Sequence, residues 1–513
     1  MTKDTMALAA VCLASLMFGL EISSVPATLP ILEKVLHGNF NELQWIMNAY
    51  TIACTSVLMA AGTLADRFGR KRLFLVSIVL FGLTSLLCGL AQNMSVLIAS
   101  RFLQGMSGGA MLICQIAVLS QQFQAARERG RAFGTWGIVF GVGLGFGPII
   151  GGVIVAASSW QWVFLVHGAI AVVTLGLCLA GVQESRDPDA KALDVWGIAT
   201  LSLSVFCLVC YITQGPGLGF SSPLALGLLG VSAASFVAFI RIETRYPHPM
   251  FDFSVFRVRN FSGALLGSMG MNFSFWPLMI YLPIYFQSGL GYDSVATGSA
   301  LLAYTLPTLV VPPVGERLSL RYQPGIVIPL GLFTIGLGFA LMWVGSSAAH
   351  ASWLTMLPGS LLAGIGLGLT NTPVTNTTTA SVQSSRAGMA SGIDMSARMT
   401  SLAINIALMG LILVSGVSSY LAEVLPDTID ATQLRSLAES MASGNVSALE
   451  QYLPGQAASF EPLMRAALAN GFGWVMLYGA LGVWILAALS FIVFRSGRLA
   501  RCAPAQSSNV SPG

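Results

Sequence analysis

The chain has 513 residues, of which 55% are hydrophobic and only 9% are charged. Soluble domains carry roughly 25% charged residues, so this composition excludes the soluble classes and indicates a protein that crosses a membrane many times. The net charge of +4 is small and the cations are scattered over short segments, which argues against a nucleic-acid-binding surface.

Apolar stretches of membrane-spanning length recur along the whole chain. A helix that crosses the hydrocarbon core needs about 20 mainly apolar residues, and this rule predicts fourteen spans. In chain order they are 6–29, 44–65, 73–92, 95–119, 132–157, 161–182, 195–215, 222–241, 262–286, 296–314, 324–345, 353–375, 389–415 and 471–494.

The charged stretch 62–72 (GTLADRFGRKR) sets the predicted orientation. It holds one acid and several cations between two apolar runs. Because charges are excluded from lipid, we predict a tight turn at a membrane surface. Lys and Arg near helix ends mark the cytoplasmic side. With this turn and both termini inside, the predicted outer segments hold only Lys34, Arg435 and Arg465 of the 25 cations.

The spans fall into two related groups of six. Residues 315–321 (GERLSLR) lie where 62–72 lies in the first group, and we predict a similar turn there without an acid at the place of Asp66. Paired six-helix halves are typical of one class of transporters. The predicted organisation is an N-terminal half at 1–194, two inserted helices at 195–241, a C-terminal half at 242–494 with an outer loop at 416–470, and a cytoplasmic tail at 495–513.

Four stretches together resemble the major facilitator superfamily, and in particular its fourteen-helix drug/proton antiporters. Residues 62–72 resemble the superfamily signature between helices two and three. The others are 101–110 (RFLQGMSGGA), which resembles the fourth-helix motif, 143–152 (GLGFGPIIGG), which resembles the fifth-helix motif of antiporters, and 20–30 (LEISSVPATLP), which resembles the first-helix motif. The resemblance implies an all-α integral membrane protein with the major-facilitator fold, two six-helix halves plus two inserted helices.

The resemblance also implies a function. Such antiporters export hydrophobic or cationic drugs or toxic compounds across the bacterial inner membrane by alternating access, so the expected partners are a small-molecule substrate, protons and lipid. Export of one endogenous metabolite or siderophore, proton-coupled uptake, and a periplasmic adaptor on 416–470 remain open. An enzyme is not expected, because no H-E-x-x-H motif occurs and the one G-x-S-x-G spacing, at 105–109, falls inside the apolar fourth predicted span. The scattered histidines and the cysteine spacing indicate no metal site, disulfide framework or cofactor.

Two of the 21 acids, Glu21 and Asp394, lie inside predicted spans. An ionisable group in the hydrocarbon core is costly unless it is paired or hydrated, so each is a candidate functional residue. Glu21 stands where the family has Asp, and we predict that it carries the proton or holds the substrate; a structural anchor is the alternative. Asp394 stands where the family commonly has Asn, four residues before Arg398, and forms either an internal ion pair or a second titratable group.

Arg101 is a cation inside the fourth predicted span, where it must meet an acid, carbonyl groups or water. The resemblance implies a role in proton relay with Glu21 as the partner; a structural brace between helices is the alternative. The predicted proton-coupling residues are therefore Glu21, Arg101 and Asp394. His167 stands where the family usually has Asn, before the small residues of the sixth helix.

The ninth predicted span is rich in Met and aromatic residues. Aromatic faces attract organic cations and Met adapts to varied shapes, which favours a substrate lining; a core or lipid-facing stripe is the alternative. Together with polar residues of other spans, the predicted substrate-binding residues are Glu21, Ser24, Gln115, Asn272, Trp276, Met279 and Asn371.

Two groups of residues are predicted to control conformation. Within 62–72 the acid and the glycines indicate a latch, whereas positive-inside anchoring alone would explain the cations. In the fifth span, glycines permit close helix approach and proline adds a bend, which favours a seal or plain helix packing. The predicted latch and gating residues are Gly62, Asp66, Arg67, Gly69, Arg70, Gly143, Gly147, Pro148 and Gly151.

Overall fold

The regular secondary structure of the described residues is entirely helical, as predicted. The computed structural model describes residues 2–28, 31–32, 35–36, 40–186, 194–245, 253–292, 294–348, 350–383, 386–424, 431–442 and 457–501.

The helices are numbered here in chain order. The N-terminal half holds α1 (Lys3–Ser24), α2 (Phe40–Phe68), α3 (Arg70–Gly89), α4 (Met94–Gln122), α5 (Ala126–Ala157) and α6 (Gln161–Gly181). The inserted helices are α7 (Val195–Leu218) and α8 (Pro223–Arg245). The C-terminal half holds α9 (Arg259–Met271), α10 (Phe275–Ile284), α11 (Ser294–Val310), α12 (Pro312–Tyr322), α13 (Pro324–Ser346), α14 (Trp353–Ala380), α15 (Ala387–Val424), α16 (Ala431–Ala442) and α17 (Ala457–Arg501).

Each half has its own apolar core. In the N-terminal half, α1 packs against α5 and α6 while α4 packs against α2 and α3, around Phe74 and Phe81. In the C-terminal half, α13 packs against α14 and α17, around Phe339 and Phe472. The halves meet along two seams, one between α2 and α15 and the other between α5 and the pair α11 and α12.

The two inserted helices lie beside the first of these seams. Helix α7 packs against both α2 and α15, and α8 packs against α7. Ser204 and Ser232 join the inserted pair, because each hydroxyl donates a hydrogen bond to the other residue's carbonyl, at 3.0 and 2.9 Å. The side chain of Asp194 accepts a hydrogen bond from the Gly197 N–H at 2.8 Å and so caps the start of α7.

The described helices account for the predicted spans with one break. Eleven of the described helices are long and apolar enough to cross a membrane. The number rises to as many as 13 if each of two bent helix pairs is counted as one span. One bent pair is α5, which turns by 54° between Gly147 and Ile149, where proline was predicted to bend it; the other is α11 with α12, at 43°. The predicted span 262–286 is instead divided into α9 and α10, of 13 and 10 residues.

The charged stretch 62–72 is less of a loop than predicted. Helix α2 continues to Phe68 and α3 begins at Arg70, so the turn is confined to Gly69, whose φ of 111° favours glycine. Residues 315–321, also predicted to be a turn, lie within α12, and the equivalent turn is at Gln323 with φ 75°. Within the first stretch Asp66 pairs with Arg70, and in the second Glu316 accepts a hydrogen bond from Asn376.

The predicted outer loop at 416–470 is largely helical where it is described. Helix α15 extends to Val424, beyond the predicted end at 415, and α17 begins at Ala457 instead of 471. Between them α16 buries Leu437 and Met441 against the core of the C-terminal half. Residues 425–430 and 443–456 and the tail from 502 lie outside the described residues.

Candidate functional site

A buried ionic cluster joins α1, α4 and α6, and we call Glu21, Arg101, Gln104 and His167 the Glu21 cluster. The Arg101 guanidinium contacts the Glu21 carboxylate, and both residues are 0% exposed. The same guanidinium donates to the Gln104 side-chain oxygen at 2.8 Å and to the Ile46 carbonyl at 3.1 Å. A buried charge is stable only when paired and hydrogen-bonded. The structure therefore places Glu21 and Arg101, two of the three predicted coupling residues, in contact.

His167 completes this cluster from α6. Its Nδ1 lies 3.3 Å from Glu21 Oε2, and the imidazole is only 1% exposed. The sequence marked His167 only as a departure from the family pattern. Its place on the sixth predicted helix gave no sign that it would reach an acid on the first.

A second ionic cluster lies in the C-terminal half, around Asp394. Arg398 donates to both Asp394 oxygens, at 3.2 and 3.1 Å, and Ser268 also donates to this carboxylate. Arg398 further donates to Asn371 Oδ1 and Thr375 Oγ1, each at 2.6 Å. The predicted ion pair is thus present, and it extends into α9 and α14.

A cavity lies between the two halves and encloses about 720 Å³, open solvent included. Phe18 and Phe140 line one wall and stack with each other, with ring centroids 6.3 Å apart. Arg398 is the charged residue of this lining, and its Asp394 partner is buried behind it. The remaining lining residues are Leu112, Gly137, Gly141, Leu144, Met271, Asn272, Thr308, Leu367, Gly368, Asn371, Met395 and Met399.

The predicted substrate-binding residues divide between this cavity and other places. Asn272 and Asn371 line the cavity, Asn272 just after the end of α9. Met279 packs against the core of the C-terminal half. Three others are buried and do not line the cavity; they are Glu21, Ser24 and Gln115. The side chain of Trp276 lies outside the described residues.

Asp66 joins the two halves across the α2–α15 seam. Its carboxylate accepts hydrogen bonds from the N–H groups of Gly388 and Met389, at 3.0 and 2.9 Å, in the first turn of α15. It also pairs with Arg70 at 2.7 Å. An acid at a helix N-terminus satisfies unpaired N–H groups and the helix dipole. We call Asp66 with these two N–H groups the Asp66 latch.

The other predicted latch residues support the same contact. Gly62 faces Gly388 so closely that a Cβ on Gly62 would lie 2.3 Å from the Gly388 carbonyl oxygen. Gly69 forms the turn, and the side chain of Glu184 accepts from the N–H groups just after it, which caps α3. Arg67 is half-buried and lies over the Phe68 ring, 5.4 Å from its centroid.

A second bridge crosses the seam beside α5 and α12, and it was not predicted from the sequence. Arg129 at the start of α5 donates to Asn376 Oδ1 and Thr379 Oγ1, each at 2.6 Å. Asn376 in turn donates to Glu316, the acid of α12. Glu316 lies in the stretch 315–321 that was compared with 62–72. The sequence does contain a signal for this bridge. Glu316 follows Gly315 directly, whereas Asp66 comes four residues after Gly62.

The predicted gating glycines pack α5 against α1, within one half. A Cβ on Gly147 would lie 1.7 Å from Ser23 Oγ, and one on Gly151 would lie 2.8 Å from Ser24. Ser23 Oγ donates to the Gly143 carbonyl at 2.8 Å. For Pro148, the structure describes the backbone bend but not the side chain. These glycines therefore let α1 and α5 pack at close range.

We expect Gly147→Ala to lower the free energy of unfolding by about 1–3 kcal/mol, because the new methyl group overpacks the α1–α5 contact. Gly152→Ala is the matched control in the same motif, since a Cβ there meets nothing within 4 Å. Alanine also favours a helix interior over glycine by about 1 kcal/mol. Thermal unfolding of the two purified variants measures their stability. Equal midpoints for Gly147→Ala and Gly152→Ala would contradict the assigned packing role of Gly147.

The comparisons with known proteins agree with this architecture. At the level of the fold, the human organic anion transporter MFSD10 (TETRAN) superposes with a TM-score of 0.55 at 13% identity, covering 96% of this chain and 99% of that one. At the level of sequence, the multidrug resistance protein Stp of Mycobacterium tuberculosis is 31% identical over 82% of this chain and 78% of its own.

Two further relatives come from Streptomyces. The puromycin resistance protein pur8 of Streptomyces alboniger is 31% identical over 80% of this chain and 82% of its own. The tetracenomycin C resistance and export protein of Streptomyces glaucescens is 30% identical over 82% of this chain and 77% of its own. The sequence profile of the Major Facilitator Superfamily matches residues 11–405. Together with the paired halves and the inter-half cavity, this match shows that the chain is a multi-pass membrane protein that belongs to the major facilitator superfamily.

Proposed function

We propose that the chain is a proton-coupled antiporter that exports hydrophobic drugs or toxic compounds across a bacterial inner membrane by alternating access. The observation that carries this proposal is the buried Glu21–Arg101 pair beside a mostly apolar cavity between the halves. The names of three relatives state multidrug resistance, puromycin resistance and tetracenomycin C resistance and export. These names support export as the direction of transport.

Proton coupling rests on the cost of burying Glu21. A carboxylate in the hydrocarbon region persists only while its cation is in place, so it gains a proton when that pairing is weakened. In the proposed cycle, Glu21 releases its proton when it pairs with Arg101. Movement of α1 and α4 in the alternate state loosens that contact and lets Glu21 take up a proton from the other side.

The cavity lining favours hydrophobic contact as the source of substrate affinity. Phe18 and Phe140 offer flat apolar faces, and Met271, Met395 and Met399 can repack around varied shapes. The described lining includes no carboxylate, so the affinity for a hydrophobic cation such as ethidium would come from the aromatic faces of Phe18 and Phe140.

We expect Glu21→Gln to abolish substrate-driven proton movement without preventing membrane insertion. Inverted membrane vesicles energised with lactate acidify, and a pH-sensitive acridine dye reports proton efflux when ethidium, puromycin or tetracenomycin C is added. The reason is that glutamine keeps the size of Glu21 and one oxygen that can accept from Arg101 but cannot exchange a proton. Glu439→Gln, which changes an exposed acid on α16, is the matched control and should behave as wild type.

The outcomes of this assay separate the candidate functions. A response to several compounds supports multidrug export. A response to one compound alone favours the second candidate, a dedicated exporter of one metabolite, which the naming of single antibiotics in two relatives suggests. Full proton coupling in Glu21→Gln would remove Glu21 from the mechanism, and silence of wild type across the panel would overturn drug export.

A further inference from the structure

His167 is a buried imidazole that lies against the buried carboxylate of Glu21. Neither imidazole nitrogen makes a hydrogen bond within the described residues, and the same holds for Glu21 Oε2 and Arg101 Nη2. A buried histidine that serves only packing normally satisfies its N–H with a neighbour. The Nδ1 atom instead faces Glu21 Oε2 at 3.3 Å, within reach of a proton transfer after a small rotation.

The groups around His167 come from four helices. Glu21 faces it from α1, and its ring meets the edge of Phe81 on α3. Arg101 on α4 lies on the other side of Glu21, with its guanidinium 4.4 Å from the centre of the Tyr50 ring on α2. Cys88 on α3 donates to Gln104 beside Arg101. Glu21 is the only acid that the described ion pairs place against Arg101 or His167.

Charge counting shows what a second acceptor changes. With Glu21 ionised, Arg101 charged and His167 neutral, the cluster has no net charge. One added proton makes the net charge +1 whether it binds to Glu21 or to His167. If Glu21 were the only acceptor, protonation would have to remove the charge that holds Arg101. With His167 available, the proton enters the cluster while the Glu21–Arg101 ion pair stays intact.

We propose that His167 is the second proton-binding group of the Glu21 cluster and shares one proton with Glu21. The lone pair on Nδ1 accepts the proton, which then passes to Glu21 Oε2 when Arg101 moves away. Coupled groups of this kind titrate as a pair, and their macroscopic behaviour belongs to both. This inference rests on the proposed proton-coupled function, and it adds a residue that exchanges the proton with the carboxylate.

The first test measures protons released by the purified full-length protein when ethidium is added in weakly buffered detergent solution, over a pH series through neutrality. His167→Gln keeps a side-chain N–H donor but cannot accept a proton. We expect its release curve to move to lower pH by about 0.3 unit or more, because two equivalent acceptors double the proton affinity of the pair. Cys178→Ala, at another fully buried position of α6, is the matched control and should keep the wild-type curve.

Superimposed curves for wild type and His167→Gln would overturn the role of His167 and leave the proposed function standing. Ethidium binding without proton release in wild type would overturn the proposed function itself. The two failures are therefore distinguishable.

A second measurement does not require that His167 be replaced. The chain holds only four histidines, and substituting glutamine for the other three (His37, His248 and His350) leaves His167 as the sole source of a ¹³Cε1 histidine resonance. We expect this resonance to titrate and its midpoint to move in Glu21→Gln. A resonance that stays in one protonation state across the series, with or without Glu21, would overturn the proposal.

Discussion

Arg101→Met is expected to abolish coupled transport and to lower the free energy of unfolding by about 3–5 kcal/mol, the cost of removing one partner of a buried ion pair. The substitution leaves Glu21 fully buried without its cation, with His167 as its remaining ion-pair neighbour. Methionine fills much of the arginine volume, so the loss arises from the missing charge more than from a cavity. Thermal unfolding in detergent and the vesicle assay measure the two effects separately.

The double variant Glu21→Gln/Arg101→Met isolates the pair. Replacing both partners of a buried pair with hydrophobic residues of similar volume is often close to neutral for stability. This double variant removes both charges but keeps one buried amide, so it should unfold at a higher temperature than Arg101→Met yet remain inactive. Arg435→Met provides a control for loss of a cation, because Arg435 is an exposed partner of Glu439 and such pairs contribute about 0–1 kcal/mol. A double variant no more stable than Arg101→Met would show that the two residues do not act as a pair.

Gly62→Leu is expected to block turnover by preventing closure of the α2–α15 seam. The first side-chain carbon would lie 2.3 Å from the Gly388 carbonyl oxygen, and that oxygen belongs to the backbone and cannot rotate away. Separating the helices also breaks the two hydrogen bonds that Gly388 and Met389 donate to Asp66. Each hydrogen bond to a charged group contributes about 1.5–3 kcal/mol, so the closed state should lose roughly a hundredfold or more in population.

Two measurements on Gly62→Leu, ethidium binding and transport, distinguish blocked closure from misfolding. Ethidium binding to the purified variant should persist, because the cavity lining is not altered. Substrate transport into inverted vesicles should be lost. Gly227→Leu on α8 is the control, since a Cβ there meets nothing within 4 Å. Export by Gly62→Leu at the wild-type rate would show that the Gly62–Gly388 contact is not needed for the cycle. Loss of ethidium binding together with export would point to misfolding instead.

The apolar runs and the family resemblance together predicted most of the helices and the pairing of Glu21 with Arg101. The apolar runs fixed α1 to α8 to within a few residues, because twenty apolar residues have no stable alternative to a spanning helix in lipid. The pairing of Glu21 with Arg101 was predictable for a related reason. A buried acid and a buried cation in the same half have few other ways to be neutralised.

The remaining features depend on distances between helices, which spacing along the chain does not encode. Asp66 caps a helix that begins more than 300 residues later, at Ala387, and His167 reaches Glu21 only because α6 packs on α1. The break after Met271 was not predicted because 262–286 has the length and overall apolar composition of a single span. The local signals are short: Asn272 and Ser274 lie at the break, and Gly270 and Pro277 flank it.

The position of α7 has a consequence for any movement that separates the two halves. Because α7 contacts both α2 and α15, it covers that seam from the side. Helices α2 and α15 can therefore separate only if α7 gives up its contact with one of them. The other seam, where α5 meets α11 and α12, is joined by Arg129, and the described contacts place neither inserted helix beside it. The extra helix pair thus makes the two seams unequal in what must be displaced when each of them opens.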